Sequence, residues 1–273
     1  MCSPVMSAYD AGIKSTISET GVINGCPFQS CDVKIQDEAR PHMSLELPDV
    51  KLRMLGRHQL QNALSAACAA LSLRDQGWKI SNESIRTGLE SSYLPGRFQL
   101  LSAREAEVCG IIGASLLLDG AHTKDSAKAM AETVKAAFPD AQVILVVAMA
   151  DDKDHSAFAR ELLLGLRHLV AVFLTEVHIA GGKYRSASAT SLKEHWANAS
   201  RRLGINASEA SSEKVHSDSL KTRRVEIVTA NCVEECIVSA NVVLSSLSGN
   251  RPKLIVVTGS LHAVASVLSL RQK

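Results

Sequence analysis

From about residue 100 onward the chain alternates short apolar runs with longer stretches in which apolar residues recur every three or four positions. The runs at 108–118, 142–148, 169–174, 224–228 and 253–258 have strand length and strand composition, and the stretches at 125–138, 155–166, 190–203, 232–246 and 262–270 have helical spacing. Strands apolar on every position, separated by helix-length crossovers, predict an α/β, Rossmann-like layer: a mostly parallel sheet with helices on both faces. Residues 204–224 are polar, serine-rich and without a period, and read as a surface loop.

The first hundred residues pattern differently. Residues 58–77, HQLQNALSAACAALSLRDQG, are alanine-rich and apolar around most of the helical circumference, which predicts a buried helix ending at Gly77. A second, short helix is expected over 81–90, with Ser81 or Asn82 as its cap, and Pro95-Gly96 then marks a domain boundary. Before residue 50 the pattern is weaker: 7–19 reads as one helix, and 32–47 offers two strand candidates separated by EARPH. The predicted domains are therefore 1–95 and 96–273.

Composition narrows the function classes. A chain of 273 residues with 46% hydrophobic content can bury a substantial core. Thirty basic against 28 acidic side chains, with 4% aromatics and no basic run, argue against nucleic acid as a partner. No apolar run approaches the roughly 20 residues that a membrane span needs, and the N-terminal residues carry neither a secretory nor a transit pattern. Seven scattered cysteines without paired short spacings read as reduced intracellular thiols. Cys232 and Cys236, one helical turn apart, are expected to be buried thiols, and no structural metal is predicted.

The candidate chemistry gathers at the ends of predicted strands, where open α/β sheets bind ligands. Arg97 follows the Pro95-Gly96 turn, and a guanidinium there can grip phosphate oxygens or simply pair with a surface acid. Asp119 ends the apolar run 115–118 just before a helix, so it can meet ribose hydroxyls or cap that helix. His122 belongs to the same DGAH turn and would face the same crevice. Lys153 lies in the dense DDKDH loop, where Asp154 is a candidate N-cap and Lys153 a candidate for holding an anionic group. Ser260 follows Thr258-Gly259 at the end of the last strand. Asn62 lies on the long helix, where a buried amide needs hydrogen-bond partners; His58 and Gln59 are weaker candidates beside it. Neither G-x-S-x-G nor G-x-G-x-x-G is completed, so hydrolase and nicotinamide chemistry lack support.

Four of these segments, LPGRFQ, LLLDGAHT, VVAMADDKDH and VVTGSLHAV, resemble the carboxyl-terminal domain of folylpolyglutamate and dihydrofolate synthases, which are Mur-ligase-type enzymes. The resemblance runs from about Gly56 onward, weakens through the serine-rich 200–219, and leans toward plant dihydrofolate synthases. It implies that 1–95 is the tail of a central ATPase domain and 96–273 a Rossmann-like ligase domain. It implies ATP-dependent addition of L-glutamate to dihydropteroate or folates through an acyl phosphate, with magnesium held mainly outside this chain. Residue by residue, it implies ATP contacts for Asn62, Arg97 and Asp119, a catalytic role for His122, and substrate contacts for Lys153 and Ser260. It also implies a monomer when full length, with no nucleic-acid or membrane partner, in the cytosol or, for a plant parent, the mitochondrion. One departure matters: a ligase of this type carries a G-x-x-x-x-G-K-[ST] phosphate loop, and no such run occurs in the chain. The chain is therefore expected to be inactive alone. The alternatives are a non-catalytic folate- or nucleotide-binding or regulatory module derived from such a ligase, or another Mur-type ligase.

Overall fold

The computed structural model of the chain describes residues 5–17, 23–37, 40–179, 182, 185–208, 223–247 and 249–270. They fall into two compact units, the first built mainly from Cys26–Pro95 and the second mainly from residues from Gly96 onward.

In the first unit, β1 (Val5–Ile17), β2 (Ile23–Gln36) and β3 (Leu45–Leu52) form a sheet in the order β1-β2-β3, with β2 and β3 antiparallel. Helices α1 (Arg57–Asp75) and α2 (Asn82–Ser91) bury one face of each, so that Leu60, Ala63, Ala67, Ile85 and Leu89 join Val33, Ile35, Leu45 and Leu47 in one core. Each buried Leu, Ile or Val among them contributes about 1.5–3 kcal/mol. Ser81 caps α2 by accepting from Ser84 N–H. Two expectations are corrected here. The helix expected over 7–19 is strand as far as Ile17, with 18–19 outside the described residues: Val5, Tyr9, Ala11, Ile13 and Ile17 fall on alternate positions, and Gly12, Ser15 and Thr16 are poor helix formers. Helix α1 is buried on one face only, because Gln61, Asn62, Ser65, Ala66 and Ala69 are exposed.

The second unit holds a seven-stranded sheet with order β4-β5-β10-β6-β7-β9-β8 among the described residues. Its elements are β4 (Gln99–Leu100), α3 (Ala103–Val108), β5 (Ser115–Leu118), α4 (Lys124–Ala137), β6 (Gln142–Val147), α5 (His155–Gly165), β7 (Leu169–Leu174), α6 (Ala189–Arg202), β8 (Asn206–Ser208), β9 (Arg224–Thr229), α7 (Val233–Ser246), β10 (Lys253–Thr258) and α8 (Leu261–Leu270). All pairings are parallel except that of β4 with β5. Alternate strand residues Leu116, Leu118, Ile144, Val146, Ile255 and Val257 pack with Cys236, Ile237, Ala240, Ala263, Val264 and Val267 of α7 and α8. The intervening Leu117, Val143, Leu145, Val147 and Val256 are equally buried on the opposite face, which α4, α5 and α6 cover. This is the Rossmann-like layer with both faces covered. No described helix is long and apolar enough to cross a membrane.

Here too the structure corrects the sequence reading. The run 108–118 is strand only at Ser115–Leu118; its start is the end of α3, because Ser102 and Glu105 form a capping box that draws the preceding segment into a helix. The expected loop 204–224 contains β8, paired in register with Arg224–Glu226 of β9, while 209–222 lie outside the described residues. The antiparallel edge strand β4 was not foreseen, being two residues long.

Candidate functional site

The chain passes from β5 through α4 to β6, yet β10 lies between those two strands. It leaves β5 for α4 on one face and β10 for α8 on the other, so the carboxyl ends of β5 and β10 form a topological switch point, the place where such sheets bind ligands. Arg97, Asp119, His122 and Ser260 all lie there.

Asp119 organises this edge. Its N–H donates to Val257 O of β10 at 3.0 Å. Its carboxylate accepts from Phe98 N–H and from Ala121 N–H, each at 2.8 Å. The next amide, Gly120 N–H, donates to Gly96 O at 2.8 Å. Gly96 and Phe98 both have positive φ, 74° and 45°. A glycine tolerates that conformation and a phenylalanine resists it, so the second depends on what surrounds it. Phe98 is held by the Asp119 carboxylate and by its buried ring, stacked on Phe138 at 6.3 Å. Gly96 is required sterically as well, since a Cβ there would lie 2.9 Å from Val264 Cγ1. Arg97 is thus clamped between two locked residues. Its side chain is half-buried, and among the described residues its guanidinium has no hydrogen bond or ion pair. Asp119 does not cap α4, one of the two roles open to it: Thr123 does, accepting from Ser126 N–H.

His122 is fixed by the same turn. Its Nδ1 lies 2.8 Å from Gly120 O, and a carbonyl only accepts, so Nδ1 bears the proton and Nε2 of the neutral ring is left as an acceptor. Its backbone N–H donates to Ser126 Oγ at 3.0 Å. Ala121 O accepts from Gly259 N–H at 2.9 Å, which joins this turn to the end of β10. Gly259, at φ 97°, allows that approach, because a Cβ there would sit 2.7 Å from Ala148 O. Ser260 is 7% exposed and its Oγ accepts from Ala263 N–H, so it caps the start of α8.

Lys153 lies on the loop after β6. Its Nζ pairs with Asp152 at 3.0 Å, and that bond is the main reason the Asp152 carboxyl sits below its ordinary range. Asp154 caps α5 by accepting from Ala157 N–H at 2.9 Å. The three aspartates of this loop do not converge, and among the described residues no three His, Cys, Asp or Glu side chains form a metal-ligand set.

Asn62 belongs to the first unit. It is exposed rather than buried, contrary to the sequence reading, because the buried stripe of α1 runs through Gln59, Ala63 and Ala67 beside it. Its Nδ2 donates to Gln59 Oε1 at 2.9 Å, and Gln59 Nε2 meets His58 Nε2 at 3.1 Å. Gln59 and Asn62 line a cavity of about 180 Å³ with Leu52, Met54, Ala63 and Ala66.

The expected burial holds for Cys236, whose thiol is pushed up to about 12 chiefly by burial, but not for Cys232. Cys232 is partly exposed at the N-cap of α7 and lines a cavity of about 440 Å³ with Glu176, His178, Asn231 and Glu234. Sequence reasoning also missed Phe98, whose role depends on a backbone angle, and Ser126, whose spacing from Thr123 is a legible capping signal.

Comparison with known proteins adds the following. Residues 96–232 match the family described as Mur ligase, glutamate ligase domain. A dihydrofolate synthase/folylpolyglutamate synthase of Bacillus subtilis is 30% identical over 115 residues, 42% of this chain and 25% of that protein. A probable bifunctional folylpolyglutamate synthase/dihydropteroate synthase of Halobacterium salinarum is 36% identical over 112 residues, 41% of this chain and 12% of that protein. Among solved structures, a Mycobacterium tuberculosis folylpolyglutamate synthase complexed with ADP and AMPPCP superimposes with a TM-score of 0.62 at 17% identity, over 97% of this chain and 49% of that one. The chain therefore spans about half the length of that structure, and the two sequence alignments take in a quarter or less of the curated relatives.

Proposed function

The chain belongs to the Mur ligase family through its glutamate ligase domain, and on that premise we propose that it is the glutamate- and nucleotide-closing part of an ATP-dependent acid–amino-acid ligase of the folylpolyglutamate/dihydrofolate synthase type. The observation that carries this reading is the clamped Arg97 at the switch point. This half-buried guanidinium has no partner among the described residues and is open to an anion, and its planar donors suit phosphate oxygens. Asp119, whose carboxylate lies at the same strand tip, suits the ribose or adenine of the same nucleotide.

In the overall reaction, the terminal phosphoryl group of ATP passes to a pterin-linked carboxylate. The amine of L-glutamate then attacks that acyl phosphate, so that an amide forms and phosphate leaves. The chain's contribution is positional and electrostatic. Arg97 grips phosphate oxygens. His122, with Nε2 as acceptor, orients the incoming amine. Lys153 holds an anionic group of the substrate, and the Ser260 hydroxyl, whose oxygen already caps α8, donates to a substrate oxygen. Asn62, Gln59 and their small apolar cavity suit an adenine edge on the first unit. Among the described residues no three His, Cys, Asp or Glu side chains gather as a ligand set, and the magnesium of such a reaction would be held mainly by residues outside this chain.

The chain alone is expected not to ligate glutamate, since it has no phosphate-loop sequence whose backbone amides could cradle a triphosphate. A non-catalytic nucleotide-binding module is the second reading, since Arg97 and Asp119 could hold a nucleotide without any transfer taking place. Calorimetric titration with ADP tests the first premise of both: wild-type chain should bind, and Arg97→Ala should weaken binding by about tenfold or more while leaving unfolding within about 0.5 kcal/mol of wild type. Equal affinity of the two proteins would remove Arg97 from the site. Glutamate ligation by the isolated chain would overturn the expectation of inactivity.

A further inference from the structure

We propose that His155 is a positioning residue for Lys153: its imidazole, in the Nε2–H tautomer, sets the path of the 150–154 loop. The proposal rests on the reading of Lys153 as a holder of an anionic substrate group.

His155 is the first residue of α5 and is 5% exposed. Its Nε2 lies 2.9 Å from Ala150 O, an atom that can only accept, so Nε2 carries the proton. Its backbone N–H donates to Lys153 O at 3.0 Å. One residue therefore ties down both ends of the turn that presents Lys153. The ring is seated edge-on against His195, 5.2 Å between centroids at 64°, and His195 Nδ1 lies 2.7 Å from Ser156 Oγ. That contact keeps the imidazole in the rotamer that reaches Ala150.

The helix itself does not need this imidazole, because Asp154 already caps α5. The loop does. Asp151, Asp152 and Asp154 are exposed, and among the described residues the one ion pair of Lys153 is with its neighbour Asp152. On its outer side the loop is joined to 185–187, with Asp151 N–H donating to Arg185 O and Ala187 N–H to Met149 O, both at 2.9 Å. Without the imidazole bond to Ala150, that outer flank, the Asp154 cap and the His155 N–H bond to Lys153 O would be left to hold the loop, and Lys153 would sample a wider arc.

The test is amide hydrogen exchange on the full chain as wild type, His155→Phe and His155→Gln, with inorganic phosphate titrated against the Lys153 side-chain resonances. Phenylalanine keeps the ring volume and the edge contact but removes the donor. Exchange at Asp151 and Ala157 should then accelerate about tenfold while Leu145 in the core of β6 keeps its rate. Glutamine, whose amide nitrogen reaches the same point, should restore the wild-type rates. A phenylalanine variant that exchanges like wild type at Asp151 and Ala157 overturns the proposal, as does one in which Leu145 accelerates equally, since that reports loss of packing alone. If phenylalanine prevents folding, the glutamine variant decides: wild-type rates support the proposal and tenfold faster loop exchange overturns it. Local acceleration in His155→Phe, combined with a wild-type Lys153 that ignores phosphate, leaves His155 as the organiser of the loop and removes the anion role of Lys153.

Discussion

Two stretches of the same sheet edge are finished in different ways. At the ends of β5 and β10, the backbone amides of Phe98, Asp119, Gly120, Ala121, His122 and Gly259 all have partners, and Thr123 caps α4. At the ends of β7 and β9, the N-cap of α7 is Cys232, which offers no side-chain hydrogen bond, and the side chains around it border an open cavity of about 440 Å³. The first edge is preorganised: its backbone is spent on internal bonds, which on the proposed reading leaves Arg97 and His122 Nε2 for the ligand. The second is finished differently: its helix starts without a side-chain cap, and the cavity wall is made of side chains, among them Asn231, which donates to Glu235. A nucleotide site needs the first kind of construction, because misplacement of a phosphate-gripping group by about 1 Å is expensive.

This contrast can be broken at its tightest point. Gly259→Ala should destabilise the second unit by about 2–4 kcal/mol, since a methyl group at positive φ would meet Ala148 O at 2.7 Å; urea unfolding measures it. Asp119→Ala should cost about 2 kcal/mol by leaving the amides of Phe98 and Ala121 unpaired, and it should also release the turn that carries Arg97, which loss of ADP binding in calorimetry would report.

Below the second edge lies Cys236, and its burial sets an alkaline limit. With a folded value near 12 against an ordinary 9.0, the thiol stays protonated in the folded chain while the unfolded chain gives up its proton. Its contribution is therefore intact below pH 9 and lost as pH rises toward 12, at up to about 1.4 kcal/mol per pH unit. Stability curves of wild type and Cys236→Ala should diverge in slope only in that range. The smallest effect has the opposite sign: Cys232→Ser supplies the missing N-cap acceptor, and should stabilise α7 by about 0.5–1 kcal/mol in thermal or urea unfolding. A neutral or destabilising result would show that the second edge is not limited by its cap.

Much of the second unit was legible because its signals are local. The runs 169–174 and 253–258 are strands with those very bounds, and Ser81 and Asp154 cap the helices they precede. Errors arose where a distant partner decided. Residues 7–17 pair as part of a strand of the first sheet, and 206–208 form an edge strand only because β9 lies beside them. Of the site residues, Asp119 and His122 stood out by their place at a strand tip. The second roles of Ser260, as a helix cap, and of Asp119, as the support of Phe98, did not.

By itself, then, the sequence determined which segments are strands and helices over most of 115–270, and that a phosphate-suited arginine and a DGAH turn accompany them. Periodicity, capping and turn chemistry act over a few residues and can be read there. Only the tertiary structure decided that β10 inserts between β5 and β6, bringing Gly259 onto Ala121. It also decided that Asp119 reaches back to Phe98, and that Arg97 has no partner among the described residues. Those outcomes follow from strand order and from hydrogen bonds between residues far apart in the chain, which no local pattern encodes.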